Sequence, residues 1–423
     1  MFKRVKPVLF VVVALLLVTI ALFGCKAAPS GPQEGVLKIG SVNDLTGPIA
    51  ASGVPITEGQ EDYFKYLNEE QGGIRGHKIE FIVFDTRYDN ELAVTGFEKL
   101  VNQDKVSMIW VGSANHAVVC KPLGDRYMMP NMAPTEYAVL YPHTPDSYMF
   151  GIIPHYADMY RCSLTYIKDT WKGKEPPRIG LMGLDVAFSK SVIKPIKLML
   201  ESELNWPIVA EEWMTMKATD VTSQVTNLKN ANCDYVLEPL TGAPQFVFQK
   251  TAKAAGLTDQ SQLVDIFIST MMTFRKLDPA SAEGIMSHSP VALLQMKDKV
   301  PAMATIDTIH KKNRPDAPDL DWVRVAGYTS GFMIQKILEE AIDKYGYDGL
   351  TGENIKWVME HKMKNYDADG LAGPLPWSPE QHGGPRANII VKTAPDFTLE
   401  VLKEWQTMPP WPAEAESADF WKM

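Results

Sequence analysis

The sequence predicts an α/β fold built as two doubly wound parallel-sheet lobes, and three observations carry that prediction. From Val36 onward, short β-rich apolar runs alternate with longer amphipathic ones, the pattern of parallel sheets covered by helices. A break, Trp171-Lys172-Gly173-Lys174-Glu175-Pro176-Pro177, divides two such runs. The chain has 423 residues, more than one compact domain usually holds.

In chain order, Val36–Val42 reads as a strand and Glu58–Asn68 as a helix. Lys78–Phe84 and Ser107–Val111 are strands, followed by helices over Glu91–Asn102 and Ala117–Tyr127. A further strand lies near Tyr148–Ile152. Beyond the break, Arg178–Leu184, Ile208–Trp213, Tyr235–Glu238 and Leu263–Ile268 are strands. The helices between them are Ser189–Glu203, Val221–Asn230 and Gln245–Ala255. A helical block, Tyr328–Tyr345 and Asn354–Lys364, precedes a Gly/Pro-rich stretch at 369–385 and a last strand, Ala387–Lys392. The Pro-rich, polar tail after Thr407 is expected to pack Trp411, Phe420 and Trp421 on the surface.

The first residues read as an export signal. Lys3, Arg4 and Lys6 precede an apolar run, Val8–Phe23, and then Gly24-Cys25 and a polar stretch. A charged region, an apolar region and a small residue before the cut make a secretory leader. A cysteine directly after that small residue resembles a bacterial lipobox, with 1–24 removed and Cys25 acylated. The alternative is an uncleaved anchor helix, for which the run is slightly short. Either reading puts the rest of the chain outside the cytoplasm, lipid-anchored or helix-anchored at the membrane.

Acidic residues number 51 against 42 basic ones, and three of the cations lie in the leader. With no basic run, nucleic acid is excluded as a partner. The four cysteines make no C-x-x-C, so no zinc or redox site is expected. With Cys25 carrying lipid, either Cys120 pairs with Cys162 or all three remaining thiols are free. No metal and no cofactor are expected, and a monomer is the expected state.

In parallel α/β sheets, ligands bind beyond the carboxyl ends of the strands. Those loops are Asn43–Gly53, Gly112–His116, Asn131–Tyr137 and Pro154–Tyr156. The second and third set small polar residues at helix starts, where free N–H groups and partial positive charge suit a carboxylate. Asn115 and Thr135 add side-chain donors, unless they simply cap helices or turns. The motifs of nucleophile elbows, zincins, P-loops and dinucleotide sites are absent, so an enzyme is not expected. His116 and His155 have no nearby nucleophile or spaced carboxylate. At a strand–helix junction, His155 reads as a hinge or ligand residue.

Two glycine-containing runs make the chain less generic. Gly40-Ser41-Val42-Asn43-Asp44-Leu45-Thr46-Gly47-Pro48-Ile49-Ala50 and Asn68–Glu80, with its Gly72-Gly73-Ile74-Arg75-Gly76, resemble the type I periplasmic binding proteins of the leucine/isoleucine/valine-binding family. The resemblance extends through Asp85, the Gly112 loop, Tyr148–Phe150, Asp220–Asp234, Gly327-Tyr328 and Gly370–Trp377. It implies two α/β lobes joined by three crossing strands, with lobe one over 36–153 and 285–373. Lobe two would be 154–284 and 374–406, with a tail at 407–423. It further implies a small-molecule ligand held between lobes that close by hinge motion, and delivery to the permease of an ABC importer. A sensing module on the same fold is the alternative.

By position, the resemblance puts the carboxylate seat on Asn115, Ala133 and Thr135, an aromatic position on Phe188, and the residue after the first crossing near Tyr156, beside His155. Departures are informative. The family's paired serines are Asn115 and His116 here, and the acid that receives an ammonium falls near Thr270, with Asp265 close by. An aspartate is replaced by Tyr156, and two aromatic walls fall on Ser52 and on Thr241 or Gly242. An ammonium buried without a partner costs several kcal/mol. An amine-free carboxylate therefore fits these residues better than a plain α-amino acid.

Overall fold

The computed structural model describes residues 35–134, 146–241, 243–266, 279–317, 320–394 and 398–411. The leader and Cys25, Thr135, Gly242, Thr270 and the last residues of the tail lie outside them.

Five strands form the first sheet: β1 (Val36–Asn43), β2 (Lys78–Asp85), β3 (Met108–Val111), β4 (Asn131–Ala133) and β5 (Met149–Gly151). They run parallel in the order β2-β1-β3-β4-β5. Helices α1 (Ala50–Glu70), α2 (Asn90–Lys99) and α3 (Ala114–Tyr127) connect them. β3, β4 and β5 are buried at every residue. β4 falls within the segment expected to be the loop Asn131–Tyr137, because three residues led by an Asn carry no apolar run.

Seven strands form the second sheet: β6 (Ile179–Leu184), β7 (Ile208–Met214), β8 (Tyr235–Leu237), β9 (Gln262–Val264), β10 (Met286–Ser289), β11 (Ala387–Thr393) and β12 (Leu399–Thr407). Their order is β12-β11-β10-β9-β8-β6-β7, with β11 and β12 antiparallel additions to a parallel set. Helices α4 (Tyr156–Thr170), α5 (Ala187–Leu198), α6 (Thr222–Asn230) and α7 (Ala243–Ala254) belong to this layer. Then α8 (Pro301–Asn313) and α9 (Trp322–Tyr345) return to the first layer and pack on α1, ahead of α10 (Gly352–Lys362).

Several elements differ from the sequence reading for identifiable reasons. α1 begins eight residues before the expected Glu58. Gly53 and Pro55 look like breakers, but the helix runs through both, with Pro55 inside it at the cost of one intrahelical hydrogen bond. β10 was not foreseen, because Met-Ser-His-Ser carries no apolar pattern; the strand stands in the second sheet, not the first lobe. Its polar side chains are paired internally: Ser287 donates to Asp265, and Ser163 Oγ sits 2.7 Å from His288 Nε2. β12 follows Ala387–Lys392, the strand expected to be the last. Trp411 is buried rather than laid on the surface: its Nε1 donates to Asp158 Oδ1 at 2.7 Å, and Arg161 lies 4.2 Å from the ring.

Cys120, Cys162 and Cys233 are free and buried, so no Cys120–Cys162 bridge forms. Cys120 lies on α3 beneath the first sheet and Cys162 on α4 against the second.

The chain passes between the layers three times, and the passages lie side by side. Gly151 N donates to His382 O at 2.7 Å, and Trp377 Nε1 donates to Gly151 O at 3.0 Å. Val291 and Ala372 form an antiparallel bridge, with Ala292 N donating to Leu371 O at 2.8 Å. These passages are bonded to one another, and the first also to β4, where Ile152 N donates to Ala133 O at 3.2 Å.

Candidate functional site

The carboxyl ends of β1, β2 and β3 build one wall of a cleft. Asp44 folds the loop after β1 by accepting from Gly47 N at 2.5 Å and Ile49 N at 2.8 Å. Asp85, at the end of β2, accepts from Leu45 N at 2.9 Å and Thr46 Oγ1 at 2.6 Å. Asn43 donates to Gly53 O and to Thr57 Oγ1, at 3.0 and 2.8 Å, which ties the loop to α1. Gly112 is required against Asn43, because a Cβ there would lie 1.9 Å from Asn43 Oδ1.

Ser113 then caps α3, accepting from His116 N at 3.1 Å. The N–H groups of Ala114 and Asn115 precede any carbonyl one turn back, so they face outward as donors. Asn115 Nδ2 donates to Tyr88 OH at 2.6 Å. Tyr88 and Arg87 both have left-handed backbones, φ 60° and 52°, a costly conformation for residues with side chains. That turn carries Tyr88 to the cleft.

The second lobe supplies the opposite wall. Tyr156 and Phe188, at the starts of α4 and α5, meet edge to face with ring centroids 4.9 Å apart. Between the walls lies a cavity of about 440 Å³. Ser52, Asn115, Tyr156, Phe188 and Thr241 line it, five of the residues expected from sequence. Tyr88, Trp110, Trp322, Val186 and Met216 also line it and were not expected. The carboxyl-end rule applied to β2 selects Tyr88; no local signal marks Trp322, which lies on α9. Trp110 Nε1 is buried and has no acceptor among the described residues, a deficit that an oxygen on a bound molecule would relieve.

Of the other expected residues, His116, Ala133 and His155 do not line the cavity. His116 is fully buried, with its ring 5.6 Å from that of Tyr88. Burial holds its pKa below the ordinary value, partly offset by Asp44 and Asp89. Ala133 is buried at the end of β4, and its neighbour Pro134 reaches the wall instead. His155 is the N-cap of α4: its Nδ1 accepts from Ala157 N at 3.0 Å, and burial pushes its pKa to about 3. It is therefore a neutral capping group. Thr135 and Thr270 lie outside the described residues.

Among the described residues the lining has no Asp, Glu, Lys, Arg or His, and no cluster could hold a metal ion. The cavity offers backbone donors, hydroxyls, one amide and aromatic faces.

The periplasmic binding protein model matches residues 36–395, nearly all of the two-sheet unit. The chain belongs to the periplasmic binding protein family. Family members are ligand-binding components and not enzymes, and this chain is a binding protein. This periplasmic binding protein is 23% identical to the Leu/Ile/Val-binding protein of Escherichia coli K12 over 343 residues, 81% of this chain and 86% of the relative. It also resembles the solved structure of a branched-chain amino acid ABC transporter protein from Thermus thermophilus with bound valine. There the TM-score is 0.73 at 19% identity, over 92% of this chain and 98% of the other. A fatty acid ABC transporter substrate-binding protein from Thermomonospora curvata gives a TM-score of 0.73 at 21% identity, over 92% and 96% of the two chains. The fold is shared with both solved structures.

Proposed function

We propose that this protein is the extracytoplasmic solute-binding component of an ABC importer, capturing an amino acid or related small carboxylate and delivering it to a permease. The observation that carries the reading is the cavity walled by both lobes beside the three crossings, with no charged side chain among its described lining residues. Rotation about those crossings would close Tyr156 and Phe188 onto the first-lobe wall. A carboxylate would take the N–H groups of Ala114 and Asn115, and Thr135 and Thr270 would complete the seat. His116, Ala133 and His155 would hold its frame. The lobes follow the sheets: 36–153 with 290–373, and 154–289 with 374–411.

The relatives named above bind leucine, isoleucine and valine, valine, or a fatty acid, all carboxylates with apolar bodies. Among the described residues no helix is long and apolar enough to cross a membrane. The leader and Cys25 support lipid anchoring at the outer face of the cell membrane. Cys25→Ala should abolish incorporation of labelled fatty acid; continued labelling would exclude Cys25 as the anchor.

Protein purified without denaturation, then denatured, should release about one small carboxylate per chain, read by mass spectrometry. Re-added to the emptied protein, that molecule should reduce the radius of gyration in X-ray scattering. Cells lacking this protein should lose its uptake. Release of no stoichiometric molecule, or unchanged uptake, would defeat the reading.

A further inference from the structure

We propose that the cleft selects a carboxylate that has no amino group and carries an apolar, ring-like body. The inference rests on the reading of the cleft as a ligand site and names the ligand class.

An α-amino acid brings an ammonium as well as a carboxylate, and burying it needs an acidic partner or costs several kcal/mol. The acids on the described loops around the cleft are already committed elsewhere. Asp44 and Asp85 accept the N–H groups of the loop after β1. Asp89 caps α2, accepting from Leu92 N at 2.9 Å. Asp185 is paired at 2.5 Å with Lys190 on the exposed side of α5.

The second lobe holds the two acids best placed by topology, Glu238 just beyond β8 and Asp265 just beyond β9. Both are fully buried inside that lobe, and neither lines the cavity. Asp265 takes Gln245 Nε2 at 3.0 Å and the hydroxyl of Ser287; Glu238 takes Gln249 Nε2 at 3.0 Å. Asp265, the alternative ammonium acceptor suggested by sequence, thus points into the lobe rather than into the cleft. Burial and the neighbouring Asp265 also raise the pKa of Glu238 well above the ordinary range, so it stays neutral.

The rest of the cavity favours a ring. Trp110 and Trp322 come from the first lobe, and Tyr156 and Phe188 from the second. Their π-faces suit a planar apolar body, while the start of α3 keeps the donors a carboxylate needs.

The test is a titration of the mature protein, emptied of ligand, with matched pairs: 3-phenylpropanoate against L-phenylalanine, and 4-methylpentanoate against L-leucine. The amine-free member should bind at least tenfold tighter in each pair, and the ring compound tighter than the branched one. Thr241→Asp, which sets a carboxylate in the wall, should narrow that preference at least fivefold. An amino acid that binds as tightly as its deaminated partner overturns the inference and leaves the solute-binding reading standing. So does a Thr241→Asp variant with an unchanged ratio. Binding of no compound overturns it as well, and the solute-binding reading then stands or falls on the molecule released from native protein.

Discussion

Gly384→Ala tests the hinge directly. Gly384 lies in the third crossing, against Ile153 of the first, and Ile153 lines the cavity. An added Cβ would sit 1.8 Å from Ile153 O, 2.5 Å from its carbonyl carbon and 3.2 Å from its nitrogen. Real Cβ atoms essentially never come closer than 3.0 Å, so the two crossings must separate by about 1.2 Å. The obstacle is backbone on both sides, so no side chain can swing away. Overpacking of this kind costs about 1–3 kcal/mol. At about 2–4 °C per kcal/mol for large domains, the thermal midpoint should fall by roughly 2–12 °C. Displaced crossings also disfavour the closed arrangement, and apparent affinity falls with the closed fraction, here by about three- to tenfold. Calorimetry gives the midpoint and titration with the released ligand gives the affinity. If both are unchanged, the crossings do not constrain each other as described.

Two further predictions concern stability. Trp411→Phe keeps a ring beside Arg161 but removes the donor to buried Asp158, so urea denaturation should show a loss of about 1–3 kcal/mol, with ligand affinity within about twofold of wild type; an unchanged midpoint would mean the tail does not staple α4. Acidification should destabilise the protein. Burial lowers the pKa of His155 to about 3 and those of His288 and His382 to about 4. In the unfolded chain each is protonated near pH 6.5, so below that pH the unfolded state binds more protons. Stability is then full above about pH 6.5 and falls as the pH drops toward 4, by up to about 1.4 kcal/mol per pH unit for each histidine. Glu238, with its raised pKa, acts in the opposite sense, losing stability as pH rises above 4.5, but it is one group against three. A thermal midpoint that is flat or rises between pH 7.5 and 5 would refute this.

The strands most visible in the sequence are those long enough to show an apolar pattern of their own. Val36–Asn43, Lys78–Asp85 and Ile179–Leu184 lie within a residue of the positions read from periodicity. β10 escaped notice because Ser287, His288 and Ser289 are buried through pairing, not through hydrophobicity. Asn115 and Tyr156 were legible as site residues because strand ends and helix starts mark them locally; Phe188 was legible only through the family resemblance. Trp322 was not, since it reaches the cleft only when α9 crosses α1, bound through Gln60 to Ser330 at 2.9 Å and Tyr328 to Asp62 at 3.1 Å.

Local periodicity was thus sufficient to specify two parallel α/β layers and the loops around the cleft, because each depends on residues close together in the chain; it misplaced the boundary, since Trp171–Pro177 lies within the second layer, between α4 and β6. The chemistry of the cleft depends on distant partners. Asp265 is removed from the ligand by Ser287 and Gln245, and Asn115 is oriented by Tyr88. Gly151, His382 and Trp377 meet at the hinge from more than 200 residues apart. Whether an acid faces the ligand or the interior is set by the hydrogen bonds available after folding, and those partners have no fixed spacing in sequence.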